Sequence, residues 1–277
     1  MTFDINNLIG LPKDVYCDIV QPAARQVGKT AELPFRAINA ALSPLEKWII
    51  NKEHNIEETK KLLAKELEHV SAEKIVPPEP YVAVPALQAI SYCMDCDVLR
   101  KLFAKLLATS MNQDTKNNAH PAFVEIIKQL HPIEATLLES TSLLRERHTA
   151  ACKIRFQQPQ DPFMLKLSLD PNFRLSTTGY DILRNFLAEN ASCSPETLSA
   201  SIDNLIRLGL IEINYDSNIG DEAYSRFVNH PYVKVLTKSW ELYNQHQNFK
   251  DYEIALIQGV IKRTDLGQLF YQSCVSS

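Results

Sequence analysis

The chain has 277 residues, 45% hydrophobic and 22% charged, enough for one large or two ordinary domains with buried cores. A formal net charge of −4 excludes general attraction to nucleic acid or to an anionic membrane, and the scattered Cys17, Cys93, Cys96, Cys152, Cys193 and Cys274 read as thiols rather than as a disulfide framework. Nowhere do about 18 uncharged apolar residues run together, and no basic region followed by an apolar run opens the chain, so a cytoplasmic protein without a membrane span is expected.

With 7 glycines against 15 prolines, the composition favours helices separated by proline-marked corners over hairpins and phosphate loops. The first segment to test that view is "AARQVGKT" (23–30), which ends like a P-loop. Such a loop needs a glycine-rich turn whose N–H groups face the phosphates. Position 23 is Ala23 where the pattern needs glycine, Gly28 is the only glycine in the segment, and no later apolar strand ends in an aspartate suited to holding Mg²⁺. The apolar positions Val20, Ala23, Ala24, Val27, Ala31, Phe35, Ile38 and Leu42 instead keep helical spacing through the tripeptide, with Pro34 dividing the helix.

Ser43, Pro44 and Glu46 form a capping box, predicting a helix through "EKWIINKEHNIEETKKLLAKELEHV" with a break near Asn55. Its charges (Glu57, Glu58, Lys60, Lys61, Lys65, Glu66, Glu68) read as a solvated face laced by ion pairs, opposite Leu62, Leu63 and Leu67. Pro77, Pro78 and Pro80 mark a corner, after which Val82–Tyr92, Val98–Met111, Pro121–Leu130 and Pro132–Leu144 have helical periodicity. Residues 1–145 are therefore predicted to form a helical bundle.

The pattern then changes. "MLKLSL" (164–169) alternates like a strand, "TGYDILRNFLAEN" (178–190) reads as a helix, and "SPETLSASIDNLIRLGLI" (194–211) reads as a helix stopped by Gly209. "LIEINY" (210–215) and "IALIQGVIKRT" (254–264) are candidate paired strands. That order matches a winged helix with a long insertion between the wing strands. The predicted fold class is mainly α: an N-terminal helical bundle (1–145) followed by a small α+β winged-helix-like domain (146–277).

The blocks "VGKTAELPFRAINAALSPLEKW", "LRKLFAKLLATSMN", "HPAFVEIIKQLHPIEATLLE", "IDNLIRLGLIE" and "RTDLGQLFYQSC", in this order, resemble the Abi-alpha (abortive infection alpha) family. The resemblance runs from about Ala24 to Cys274, and its most specific block is His120–Glu139. It implies a bacterial protein associated with defence against phage, and it brings no catalytic residues to carry over. "CMDC" (93–96) falls where that family has a variable acidic connection, so any role of its thiols would belong to this chain alone.

Candidate sites are few. Cys93 and Cys96 form a lone C-x-x-C with no second pair or H-x3–5-H to complete a zinc site, and Asp95 reads as the N-cap of the next helix. Three His-Pro pairs (His120-Pro121, His131-Pro132, His230-Pro231) each stand before an apolar run, where the proline starts a helix and the histidine caps or packs. His120 and Phe123, inside the most specific block, are candidate interaction residues. In the winged-helix-like segment the candidates are Asp203 and Arg207. A DNA-reading helix carries several basic or amide side chains backed by phosphate-neutralising charge, whereas residues 190–277 hold 7 Lys/Arg against 10 Asp/Glu, a net of −3. The expected protein is not an enzyme, takes no cofactor or metal, and acts through another protein and through self-association. The segments "AELPFRAINAAL" and "VAVPALQAI" motivate the latter, and a winged-helix DNA-binding regulator is the alternative.

Overall fold

The computed structural model describes residues 53–92, 96–140, 148–158, 179–188, 193–247 and 252–276. The P-loop-like tripeptide, the helix expected over 20–42, "AELPFRAINAAL", the "MLKLSL" strand and Cys93 lie outside the described residues. Those described are mixed α+β with a helical majority. They fall into two compact units: one of residues up to Glu139 with those from Gln268 onward, the other of Ser140–Gly267.

The first unit is helical. Helix α1 (Glu53–Glu66) runs through Asn55; the part of the expected helix before Glu53 lies outside the described residues. Leu63 and Leu67 are buried as their spacing implies, but so is Lys60, expected on the solvated face. Helix α2 (Pro80–Tyr92) carries Pro85 internally and buries Val82, Ala83, Ala86, Leu87, Ala89 and Ile90. The apolar run "VAVPALQAI" is thus mostly spent inside the unit. Helix α3 (Asp97–Met111) buries Leu99, Leu102, Phe103, Leu106, Leu107 and Met111, the three-and-four spacing of one helical face, and packs against α1 and α2. Its N-cap is Cys96, not the expected Asp95, and no side-chain cap bond forms; Asp97 in the first turn pairs with Arg100 instead.

Two short helices follow, α4 (Ala122–Lys128) and α5 (Pro132–Ser140). The C-terminal residues return to this unit. Phe270 meets Phe123 edge-on, ring centroids 5.4 Å apart at 90°. The Thr109 hydroxyl donates to the Ser273 carbonyl at 2.9 Å, and the Ser273 hydroxyl donates to the Asn118 carbonyl at 3.1 Å. These bonds satisfy polar groups at a buried chain end.

The second unit is built on a four-stranded antiparallel sheet of order β2-β1-β4-β3, with β1 His148–Gln157, β2 Gly179–Phe186, β3 Ile211–Asn214 and β4 Glu253–Arg263. The predicted strands at 210–215 and 254–264 pair with each other, Ile211 opposite Arg263. The helix predicted over 178–190 is instead strand β2. Its register explains the misreading: Cys152 faces Phe186 and Ile154 faces Leu183, so a bulge sets three residues of β2 against two of β1. Leu183 and Phe186, three apart as on a helix, thereby reach the same buried cluster. The winged-helix order thus lacks its helix at 178–190.

Helix α6 (Pro195–Arg207) starts at Ser194, whose hydroxyl accepts from the Thr197 amide, and ends before Gly209 at φ +72, as its sequence predicts. Helices α7 (Ser225–Val228) and α8 (Pro231–Gln247) complete the connection from β3 to β4. One sheet face buries Ala150, Cys152, Ile154, Leu183 and Phe186 against Tyr224, Phe227 and Val233. Helix α9 (Asp265–Phe270) follows β4.

Candidate functional site

Each His-Pro histidine caps a helix start. The Ala122 amide donates to His120 Nδ1 at 3.1 Å, Ile133 to His131 Nδ1 at 3.2 Å, and Tyr232 to His230 Nδ1 at 3.2 Å. The imidazole thus takes one of the helix's orphan N–H groups, while the proline behind it has none to satisfy. His120 is exposed with its ring 5.8 Å from that of Phe123, and Phe123 is fully buried. Asp203 and Arg207 lie on α6 in the other unit. Asp203 accepts from Asn185 Nδ2 at 2.6 Å, and the Arg207 guanidinium donates to Asn204 Oδ1.

Asp203 belongs to a polar network on the sheet face opposite the apolar cluster. There the Tyr215 ring lies over Gly259, where a Cβ would come within 2.5 Å of Tyr215 Cδ1. Lys153 Nζ sits 4.5 Å from the centroid of that ring. The Tyr215 hydroxyl meets Asn185 Oδ1 at 2.9 Å, and Asn185 passes the chain to Ser199 and Asp203. Asp181 pairs with Arg155 at 2.7 Å and Lys153 at 3.8 Å. Burial, reinforced by the neighbouring Cys152, Asp181 and Asp203, pushes the Tyr215 hydroxyl well up from its ordinary value. Burial also raises the Cys152 thiol to about 12, so neither group is an activated nucleophile. The network ties β1, β2, β3 and α6 together.

The open feature lies at the end of the sheet where β1 finishes and β2 and β4 begin. The register there sets Phe156 opposite Tyr180 on β2 and Ile254 on β4, while Trp240 and Tyr243 come from α8. Together with Gly179 and Tyr252 they line a cavity of about 690 Å³. Phe156 is the hub. It stacks on Tyr252 at 4.9 Å and 10°, meets Trp240 edge-on at 4.5 Å and 76°, and tilts 46° to Tyr180 at 5.5 Å. Trp240 and Tyr243, one helical turn apart, are 5.8 Å apart at 35°. Trp240 is anchored by its indole N–H, which donates to the Tyr252 carbonyl at 3.3 Å. Gly179 is required at the rim: its φ is +152, and a Cβ would lie 2.0 Å from the Phe156 carbonyl oxygen. None of these residues was singled out by sequence reasoning. The single local signal is Trp240 and Tyr243 at helical spacing, because Phe156, Tyr180 and Tyr252 converge only through strand register.

Among the described residues no group of three or more His, Cys, Asp or Glu side chains could hold a metal ion, and no helix is long and apolar enough to cross a membrane. The described residues thus form an α+β protein with a mainly helical unit, a sheet unit and an open aromatic cavity on the latter. The chain belongs to the abortive infection alpha family, whose pattern matches residues 51–274. The first of the resembling blocks, 27–48, precedes that match. No curated protein and no solved structure matches the chain.

Proposed function

We propose that the protein acts in abortive-infection-like defence against phage, in the cytoplasm, by recognising another protein rather than by catalysis. The observation that carries this reading is family membership over 51–274. It is supported by the surface of the sheet unit, where Val228 is 60% exposed, Val235 64%, Leu242 53% and Tyr243 52%. Val235 and Leu242 are seven residues apart on α8 and share a face; exposed large apolar side chains of this kind suit a partner surface, a second copy included. In the winged-helix-like reading α6, β3 and β4 form a module for protein contact, and the acidic excess over 190–277 works against DNA.

The test is phage challenge of bacteria with and without the protein. Protection is expected, and Val235→Asp with Leu242→Asp should abolish it while leaving the far-UV circular dichroism unchanged. Full protection by that variant would sink the recognition surface, and no protection by the wild type would sink the defence role. A low-salt gel shift showing binding that weakens steeply with salt would replace protein recognition with the DNA-binding regulator. A monomer at micromolar concentration in light scattering would remove self-association.

A further inference from the structure

We infer that the aromatic cavity of the sheet unit binds a quaternary ammonium head group, a choline-sized organic cation. This goes beyond the defence reading and does not depend on it. Among the described residues the lining is Phe156, Gly179, Tyr180, Trp240, Tyr243 and Tyr252, five aromatic rings and one backbone glycine. Tyr180 is 63% exposed and Tyr243 52%, while Phe156, Trp240 and Tyr252 are half-buried, so aromatic surface that a core would cover stands open to solvent. An exposed apolar concavity of this size marks a binding site.

Ring geometry selects the ligand. A flat base needs two parallel faces with a gap between them, and among the described lining residues the parallel pair Phe156 and Tyr252 is already closed at 4.9 Å. The other rings meet at 76°, 46° and 35°, which makes walls rather than a slot. Ring faces are electronegative and attract a cation placed over them.

The lining chemistry narrows the class further. Among the described residues no carboxylate and no side-chain amide lines the cavity, so a primary ammonium, with its three N–H donors, would leave hydrogen bonds to these walls unmade. A quaternary ammonium donates none and presents methyl groups to the rings. A phosphate-bearing ligand would find no basic side chain among the described lining residues.

The experiment titrates the purified full chain with choline and with its uncharged carbon isostere, dimethylbutanol, by calorimetry and ligand-observed nuclear magnetic resonance. Choline should bind, and the isostere should bind roughly tenfold more weakly or less, because it has the shape without the charge. Tyr180→Leu should weaken choline roughly tenfold, and Tyr180→Phe should restore it; Tyr180 is exposed, so neither variant should disturb the fold, which circular dichroism checks. Equal binding of the isostere, an unchanged Tyr180→Leu, or no choline binding by folded protein would each overturn the assignment. So would adenosine binding in place of choline. Sedimentation with phosphatidylcholine vesicles against phosphatidylglycerol vesicles separates the two sources of the head group. Selective capture by the former assigns a lipid-borne one, and its absence alongside choline binding assigns a soluble one.

Discussion

The two units reach a buried core by different routes. In the helical unit most of the described core is local in sequence: α3 alone contributes Leu99, Leu102, Phe103, Leu106 and Leu107, the i, i+3, i+4, i+7 and i+8 positions of one helical face, and Phe270 joins them from the far end of the chain. In the sheet unit the core is distant in sequence, with Ala150, Cys152 and Ile154 meeting Leu183 and Phe186 from another strand and Tyr224, Phe227 and Val233 from beyond β3. The helical unit should therefore be most sensitive to lost side-chain volume. The sheet unit should be most sensitive where backbones approach closely, at Gly179 and Gly267, and where the Tyr215 ring covers Gly259. A helix is held together by bonds within itself, whereas a strand needs a neighbour at strand distance, and any added Cβ at a crossing acts on that neighbour.

The sharpest test of that contrast is Phe123→Ala. Phe123 is fully buried and edge-on to Phe270, and its truncation should cost about 3–5 kcal/mol through lost burial plus a cavity, read as a lowered urea midpoint. A cost below about 1 kcal/mol would mean that the site collapses and that the helical unit is not limited by packing volume. Next is Gly267→Ala. A Cβ there would stand 1.9 Å from the Leu210 carbonyl oxygen, a backbone atom that cannot swing aside. A destabilisation of about 1–3 kcal/mol is expected, and a neutral result would show that the chain after β4 yields freely.

The smallest effect is a pH dependence at His230. Burial lowers its pKa from the ordinary 6.5, and its Nδ1 accepts from the Tyr232 amide, which requires the neutral ring. The unfolded chain then binds more protons than the folded one, so stability falls as pH drops through the ordinary histidine value and levels off below the folded pKa. Comparing urea midpoints of the wild type and His230→Asn at about pH 7.5 and about pH 5.5 checks this. The wild type should lose more on acidification, and equal losses would show that the capping ring tolerates its proton.

Legibility followed the same division. The described helices of the first unit were readable because their apolar spacing and prolines are local, and α6 was readable from Ser194 to Gly209 for the same reason. Lys60 was misplaced because a charged letter says nothing of how far its long stem is covered in the fold. Strand β2 was misread because the bulge opposite Cys152 and Ile154 brings Leu183 and Phe186 to one face at a helical interval. Strand β1, "HTAACKIRFQ", was passed over although Ala150, Cys152, Ile154 and Phe156 alternate with Thr149, Ala151, Lys153 and Arg155. Beyond Trp240 and Tyr243 at helical spacing the aromatic cavity has no sequence signature, since its rings span residues 156 to 252.

By itself the sequence determined the helices of the first unit, the β3–β4 pair and the family, because helical periodicity, capping chemistry and block order are written along the chain at short range. Only the tertiary structure decided that β1 is central, that β2 is a strand and that five aromatic rings meet at one end of the sheet. Register and bulges are properties of two strands at once, and no single stretch of sequence carries them.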